Sequence, residues 1–153
     1  MAAELRTYVD IDDTADQVWA VLMDLPAYPE WNPFVRSAEG SFAVGSSPSL
    51  TIAPLHATLR VRVRPTVLEA TAGRRLRFGV RFARLGAPGL VDAVHTLTLD
   101  PQDGGGVRLW EEARFRGLLV PLMARSLNRN GADAFAAMND ALKARVEGRR
   151  PES

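Results

Sequence analysis

The chain contains no cysteine. Disulfides, thiol nucleophiles, thiolate-held zinc and iron–sulfur clusters are therefore excluded. Histidine is nearly absent as well: only His56 and His95 supply imidazoles, too few for a histidine-rich metal site. No run approaches the roughly 18 consecutive apolar residues of a membrane-spanning helix. The start, Met1-Ala-Ala-Glu-Leu-Arg6, lacks the apolar stretch of a signal peptide. Of 19 basic residues only Lys143 is a lysine, and 18 acids leave a net charge of +1. Such a balance gives no electrostatic footprint for nucleic acid. Gly-x-Ser-x-Gly, phosphate-loop and His-Glu-x-x-His motifs are missing too. Gly104-Gly-Gly106 reads as a turn, because a strand pattern and not a helix follows it. The expectation is a cytoplasmic protein with no cofactor, no metal, no nucleic-acid partner and no stable membrane insertion.

What is present suits one globular domain. The 153 residues are 46% hydrophobic and 24% charged, enough to bury a real core. The domain is expected over residues 1–148, with 149–153 a short disordered tail. The segment from Leu118 to Val146 organises the rest. Leu127, Gly131, Ala134, Phe135, Met138, Leu142 and Val146 recur at steps of three and four, one stripe of a long helix. Arg129, Asn130, Asp133, Asn139, Asp140, Lys143, Arg145 and Glu147 fall on faces that suit water. Pro121 is tolerable only near the helix start, which places that start between Leu118 and Ser126. Gly148 and Pro151 mark the stop. So long an apolar stripe needs a broad partner, and the preceding hundred residues supply a sheet.

In order, Leu5, Thr7, Val9 and Ile11 alternate with Glu4, Arg6, Tyr8 and Asp10, a strand with one wet face. Thr14-Ala-Asp-Gln17 matches a capping box ahead of a short helix that buries Val18, Val21, Leu22 and Leu25. Pro26 to Pro33 holds three prolines, Tyr28 and Trp31, room for a helical turn or two. Strand patterns then follow over Phe34–Phe42, Leu50–Pro54, Leu59–Val67, Leu76–Phe82, Val91–Leu99 and Val107–Phe115. Turn-rich links separate them, including Asp100-Pro-Gln-Asp-Gly-Gly-Gly106. Consecutive strands with short links imply an antiparallel meander, which the long helix covers on one face. The predicted fold is α+β: six or seven antiparallel strands wrapped around a C-terminal helix, with two short helices after the first strand. Curved strands around one helix seldom close completely, and the gap is where ligands bind.

Particular residues carry a family resemblance. They are Val18-Trp19, Tyr28-Pro-Glu-Trp-Asn-Pro33, Gly45, Glu111-Glu112 to Gly117, and Phe135-x-x-Met-Asn-x-x-Leu142. With this element order, the chain from about Leu5 to Glu147 resembles the START-like (SRPBCC) superfamily, in its polyketide cyclase/dehydrase and lipid-transport-like branch. The resemblance implies a helix-grip fold and an internal pocket for a hydrophobic or amphipathic small molecule, lipid or polyketide-like. Only some branches of that superfamily are enzymes, so a cyclase or dehydratase activity is the alternative.

His95 and Glu111 are the candidate catalytic pair. If the hairpin is symmetric about Asp103, His95 lies directly opposite Glu111, with both pointing to the apolar side. A carboxylate there would raise the imidazole pKa, and burial would lower it. The two would serve as general acid and base, orient a ligand, or simply satisfy each other. Phe78, Phe82, Leu97, Leu109, Phe115, Leu127, Phe135 and Met138 would wall a ligand cavity or form ordinary core. Trp31 would line its mouth or plug the core beneath the short helices. Arg60, Arg62, Arg64, Arg75, Arg77 and Arg81 are expected on the outer faces of two neighbouring strands, solvated among acids or facing an anionic partner. His56 sits near a turn and takes no role.

Overall fold

Alternation along the sequence becomes alternation across a sheet. In the computed structural model, which describes residues 2–53, 60–81, 92–118 and 120–148, the first strand β1 spans Ala2–Ile11. The side chains of residues 2, 3, 122–128 and 130 lie outside the described residues. Helix α1 (Ala15–Met23) follows, then a 3-10 turn at Leu25–Ala27 and the single-turn helix α2 (Tyr28–Trp31). Seven strands come next: β2 (Val35–Glu39), β3 (Ser49–Ile52), β4 (Val61–Val63), β5 (Thr66–Thr71), β6 (Arg75–Arg81), β7 (Asp92–Pro101) and β8 (Val107–Arg116). The long helix α3 (Val120–Glu147) closes the order, with Pro121 in its first turn. The strands form two antiparallel sheets, one of five strands in the order β1-β8-β7-β6-β5 and one of three in the order β2-β3-β4. The α+β architecture predicted from the sequence is therefore the one observed.

Local chemistry explains the element ends. The Thr14 Oγ1 accepts a 3.2 Å hydrogen bond from the Gln17 N–H and caps α1. The reciprocal half of the box is replaced: the Thr14 N–H donates to Asp13 Oδ1 at 2.7 Å. Past α2, Asn32 Oδ1 accepts from the backbone N–H groups of Phe34 and Val35, at 2.9 and 3.3 Å. That turn swings the chain from α2 into β2.

Two strand expectations change. The pattern from Leu59 to Val67 reads as one strand, but the chain turns at Arg64-Pro65. Pro65 is fully buried and has no N–H to give a ladder. β4 therefore stays in the small sheet and β5 joins the large one. In consequence Arg60, Arg62 and Arg64 do not share a face with Arg75, Arg77 and Arg81 on a neighbouring strand, since β4 and β6 belong to different sheets. The second change is the β7–β8 register. Loop 102–106 is closed by the Gln102 N–H on the Gly106 carbonyl at 3.1 Å, with Gly104, Gly105 and Gly106 all at positive φ. The hairpin is centred on Gly104, not Asp103, so the partners are Leu99 with Leu109, Leu97 with Glu111 and His95 with Ala113. Moving the centre by one residue moves each partner by two, which preserves the face.

Helix α3 lies across the inner face of the large sheet. It crosses β1 so closely that a Cβ on Gly131 would collide with the Leu5 side chain. Phe135, Leu142 and Val146 are buried on this face. Asn139, assigned to water by its polarity, is also buried, at 3% exposure, because its position four after Phe135 puts it on the same stripe. The main core joins Ile11, Leu22, Leu25, Leu76, Leu97, Leu109 and Leu142. A second cluster of Ala93, Ala113, Phe115, Val120 and Phe135 packs under the start of α3. Each fully buried leucine contributes about 2 kcal/mol by leaving water.

Candidate functional site

The inner faces of β6, β7 and β8 present Phe78, then His95 and Leu97, then Leu109, Glu111 and Phe115. Phe78 is the cross-strand partner of His95, and their rings stack with centroids 5.1 Å apart at 11°. His95 also meets Phe115 at 6.5 Å, and Phe135 of α3 at 6.1 Å. On its other side Phe78 stacks on Phe42 at 5.8 Å. Phe42 meets Tyr28 at 6.1 Å, and Tyr28 meets Trp31 at 4.8 Å. A continuous path of aromatic rings thus runs through the interior, from the short helices to the middle of the long one. The spacings are those of offset and edge-to-face pairs.

Two titratable groups stand on this surface. Glu111 is 3% exposed, and its Oε2 has no hydrogen-bond partner among the described residues. Burial pushes its carboxyl up to about 8. His95 lies between Phe78 and Phe135, and burial pushes its imidazole down to about 4. In neither case does the other group contribute, and no hydrogen bond joins them. The expected direct opposition of His95 and Glu111 is thereby corrected: they are diagonal neighbours on one face. Diagonal cross-strand positions lie roughly 7 Å apart, within reach of long side chains, yet Glu111 Oε2 is left without a partner among the described residues. At neutral pH the pair is a protonated acid and a free base. Glu111 can donate a hydrogen bond, and one nitrogen of His95 can accept one. Burial first, and then the Glu111 and Asp24 carboxylates once ionised, push the Tyr28 phenol up, and it donates to the Leu22 carbonyl at 2.6 Å.

Of the residues singled out in the sequence, Phe78, His95, Glu111, Phe115 and Phe135 come together here. Leu97 and Leu109 are packed in the main core beside them, and Met138 is half-buried on α3. Trp31 packs against that core under the short helices, with its Nε1 buried and without a partner among the described residues. Phe82, His56 and the side chain of Leu127 lie outside the described residues. Three site residues escaped the sequence reading: Tyr28, Phe42 and Asn139. The Oδ1 of Asn139 is another buried acceptor without a partner among the described residues. Its spacing from Phe135 and Leu142 was the available signal. Among the described residues no group of three or more His, Asp and Glu side chains is placed to hold a metal. No helix among them is long and apolar enough to cross a membrane.

Comparison with known proteins agrees with this architecture. Solved structures that resemble the chain include a protein of Chromobacterium violaceum, at 21% identity and a TM-score of 0.75 over 97% of this chain and 98% of that one. A START superfamily protein of Mycobacterium smegmatis matches at 15% identity and a TM-score of 0.74, over 95% and 97%. Norcoclaurine synthase of Thalictrum flavum, in complex with dopamine and hydroxybenzaldehyde, matches at 14% identity and a TM-score of 0.74, over 99% and 90%. At these identities the likeness is one of fold. The chain has no match among curated proteins. Residues 2–147, nearly the whole chain, match the family described as polyketide cyclase / dehydrase and lipid transport, and to that family the chain belongs.

Proposed function

We propose that the interior bounded by β6, β7, β8 and α3 binds a hydrophobic or amphipathic small molecule, lipid or polyketide-like, with an aromatic portion against the rings. The observation that carries this reading is the unpartnered Oε2 of Glu111 beside the path from Trp31 to Phe135. An unmet buried polar atom costs about 1–3 kcal/mol, and a ligand carbonyl that accepts from protonated Glu111 would recover that cost. The unpartnered Asn139 Oδ1 would take a hydroxyl of the same molecule. Family membership and the aromatic ligands of norcoclaurine synthase support the reading. Its test is a panel of naphthol- and anthrone-type ligands against matched hydrocarbons. Binding should raise the melting temperature with dose and carry a negative heat-capacity change. Glu111→Leu, which removes the donor that a Gln amide would keep, should weaken the carbonyl-bearing ligands more than the hydrocarbons. A melting temperature indifferent to the whole panel would overturn the proposal.

A second reading, a cyclase- or dehydratase-type enzyme, is favoured by the opposite displacements of His95 and Glu111. Separated values of this kind mark an acid and a base. Their diagonal placement suits a substrate lying between them. His95 would take a proton from the carbon next to a ketone as Glu111 gives its proton to the ketone oxygen, leaving an enol. The step shows as deuterium exchange at that carbon, and either His95→Phe or Glu111→Gln should abolish it. Exchange that survives both changes would sink this reading.

A further inference from the structure

The opposite face of the same sheet holds a groove with room for about 420 Å³. Its origin is a difference in side-chain length between neighbouring strands. On the outer face β7 carries the short Val94, Thr96 and Thr98. β6 on one side carries Arg75 and Arg77, and β8 on the other carries Arg114 and Arg116. The register sets Arg77 beside Thr96, Arg75 beside Thr98, Arg114 beside Val94 and Arg116 beside Asp92. The outer strands of such a triplet lie about 10 Å apart, and successive same-face residues about 7 Å apart. Long side chains on both rims above a short-chain floor make a trench along β7.

Charge sets what the trench suits. Four guanidiniums line it against two carboxylates, Asp92 and Glu112. Glu112 is drawn toward β1, where Arg6 holds it at 3.0 Å. Arg75 and Arg114 reach Glu69 and Glu4 only at 3.8 Å, too long to be hydrogen bonds. Arg77 and Arg116 form no ion pair among the described residues. Guanidinium forks match phosphate oxygens two at a time, and the threonine hydroxyls on the floor add donors between the rims.

We propose that this trench is a second binding site, separate from the interior, for a small soluble oligoanion of the diphosphate class, held between the arginines of β6 and those of β8. Like charges kept side by side on a folded surface are relieved by such a guest.

The probe is inorganic pyrophosphate, titrated calorimetrically at low ionic strength, with amide shifts read in parallel by NMR. Saturable binding that weakens with salt and shifts Thr96 and Thr98 is expected. Arg77→Gln and Arg114→Gln, one on each rim, should each weaken binding at least about tenfold, as loss of a charged hydrogen-bond fork does. Arg60→Gln, away from the groove, removes the same charge and should leave binding unchanged. Equal weakening by Arg60→Gln would reduce the effect to net charge and overturn the site. So would absence of saturable binding with the wild-type chain. Co-sedimentation with phosphatidic acid vesicles without any binding of free pyrophosphate would make the surface a membrane contact and likewise overturn the proposal.

Discussion

The two faces of the five-stranded sheet are built from alternate residues of the same strands, yet they treat charge in opposite ways. Inside, β8 places Leu109, Glu111, Ala113 and Phe115, and its one carboxyl is driven to keep its proton. Outside, the same strand places Arg108, Trp110, Glu112, Arg114 and Arg116. There the charges pair across strands. Arg108 meets Asp10 at 2.8 Å and Arg6 meets Glu112 at 3.0 Å, and the two guanidiniums lie over Tyr8 and Trp110 at 4.3 Å each. A step of one residue moves a group from a place where ionisation is costly to one where water and neighbours support it. The lesson is that polarity alone does not say what a residue does here; the face does.

The largest test of that contrast is steric. Leu109 has no exposed surface, so Leu109→Ala should cost about 2–5 kcal/mol, read as a lower urea midpoint. Glu112→Gln, three residues on and on the other face, should change the midpoint little. If Leu109→Ala also costs less than about 1 kcal/mol, the inner face is not the packed one.

The next effect is on pH dependence. Glu111 is neutral in both folded and unfolded states below about 4.5 and ionised in both above about 8. Between these values only the unfolded chain loses the proton, so stability falls as pH rises, by about 1.4 kcal/mol per unit. For His95 the unfolded chain gains a proton below 6.5, and the folded one resists until about 4. Its contribution falls as pH falls through that window. The slopes cancel between pH 4.5 and 6.5, leaving a flat top, and from 6.5 to 8 the Glu111 decline of about 2 kcal/mol stands alone. Glu111→Gln should remove that decline and uncover the rise from 4 to 6.5. Urea unfolding across this range is the measurement, and an unchanged profile would mean that Glu111 is not held protonated.

A smaller effect separates burial from pairing. The imidazole is depressed by its surroundings alone, so Glu111→Gln should leave the His95 NMR titration near 4, while Phe78→Ala, by admitting water to the stacked ring, should move it toward 6.5. A titration that answers to Glu111→Gln and not to Phe78→Ala would restore a charge pair.

Much of this was legible in the sequence for a physical reason. The periods of two and near 3.6 fixed which residues of β1, β7, β8 and α3 face inward, and His95 and Glu111 were found by that rule. Face survives a shift of register by two, which is why the inward direction held while the partner changed. The centre of a glycine-rich loop depends on which glycines adopt positive φ, and the pattern of the flanking strands does not report it. Pro65 was visible, but alternation on both sides of it hid the change of sheet. Asn139 and Phe42 went unread for different reasons. Asn139 was judged by polarity against its own spacing. Phe42 closes the expected strand Phe34–Phe42, but β2 ends at Glu39, so alternation does not report its face.

The smallest effect lies on the outer face, in the Arg6–Glu112 pair. Their side chains keep 56% and 28% of their exposure, so water screens the 3.0 Å contact. Exposed pairs of this kind are worth roughly 0.2–1 kcal/mol. The Arg6 guanidinium also lies over the Trp110 ring at 4.3 Å, a contact that salt weakens less than an ion pair. A double-mutant cycle of Arg6→Gln with Glu112→Gln isolates the ionic part, because the ring remains in all four proteins. Its coupling should be about 0.5 kcal/mol at low salt and close to zero in 1 M salt, where the screening length is about 3 Å. The cost of Arg6→Gln alone should keep a salt-insensitive remainder from the ring contact. A coupling above about 2 kcal/mol that ignores salt would mean the outer face is as sheltered as the inner one, and the contrast between them would fail.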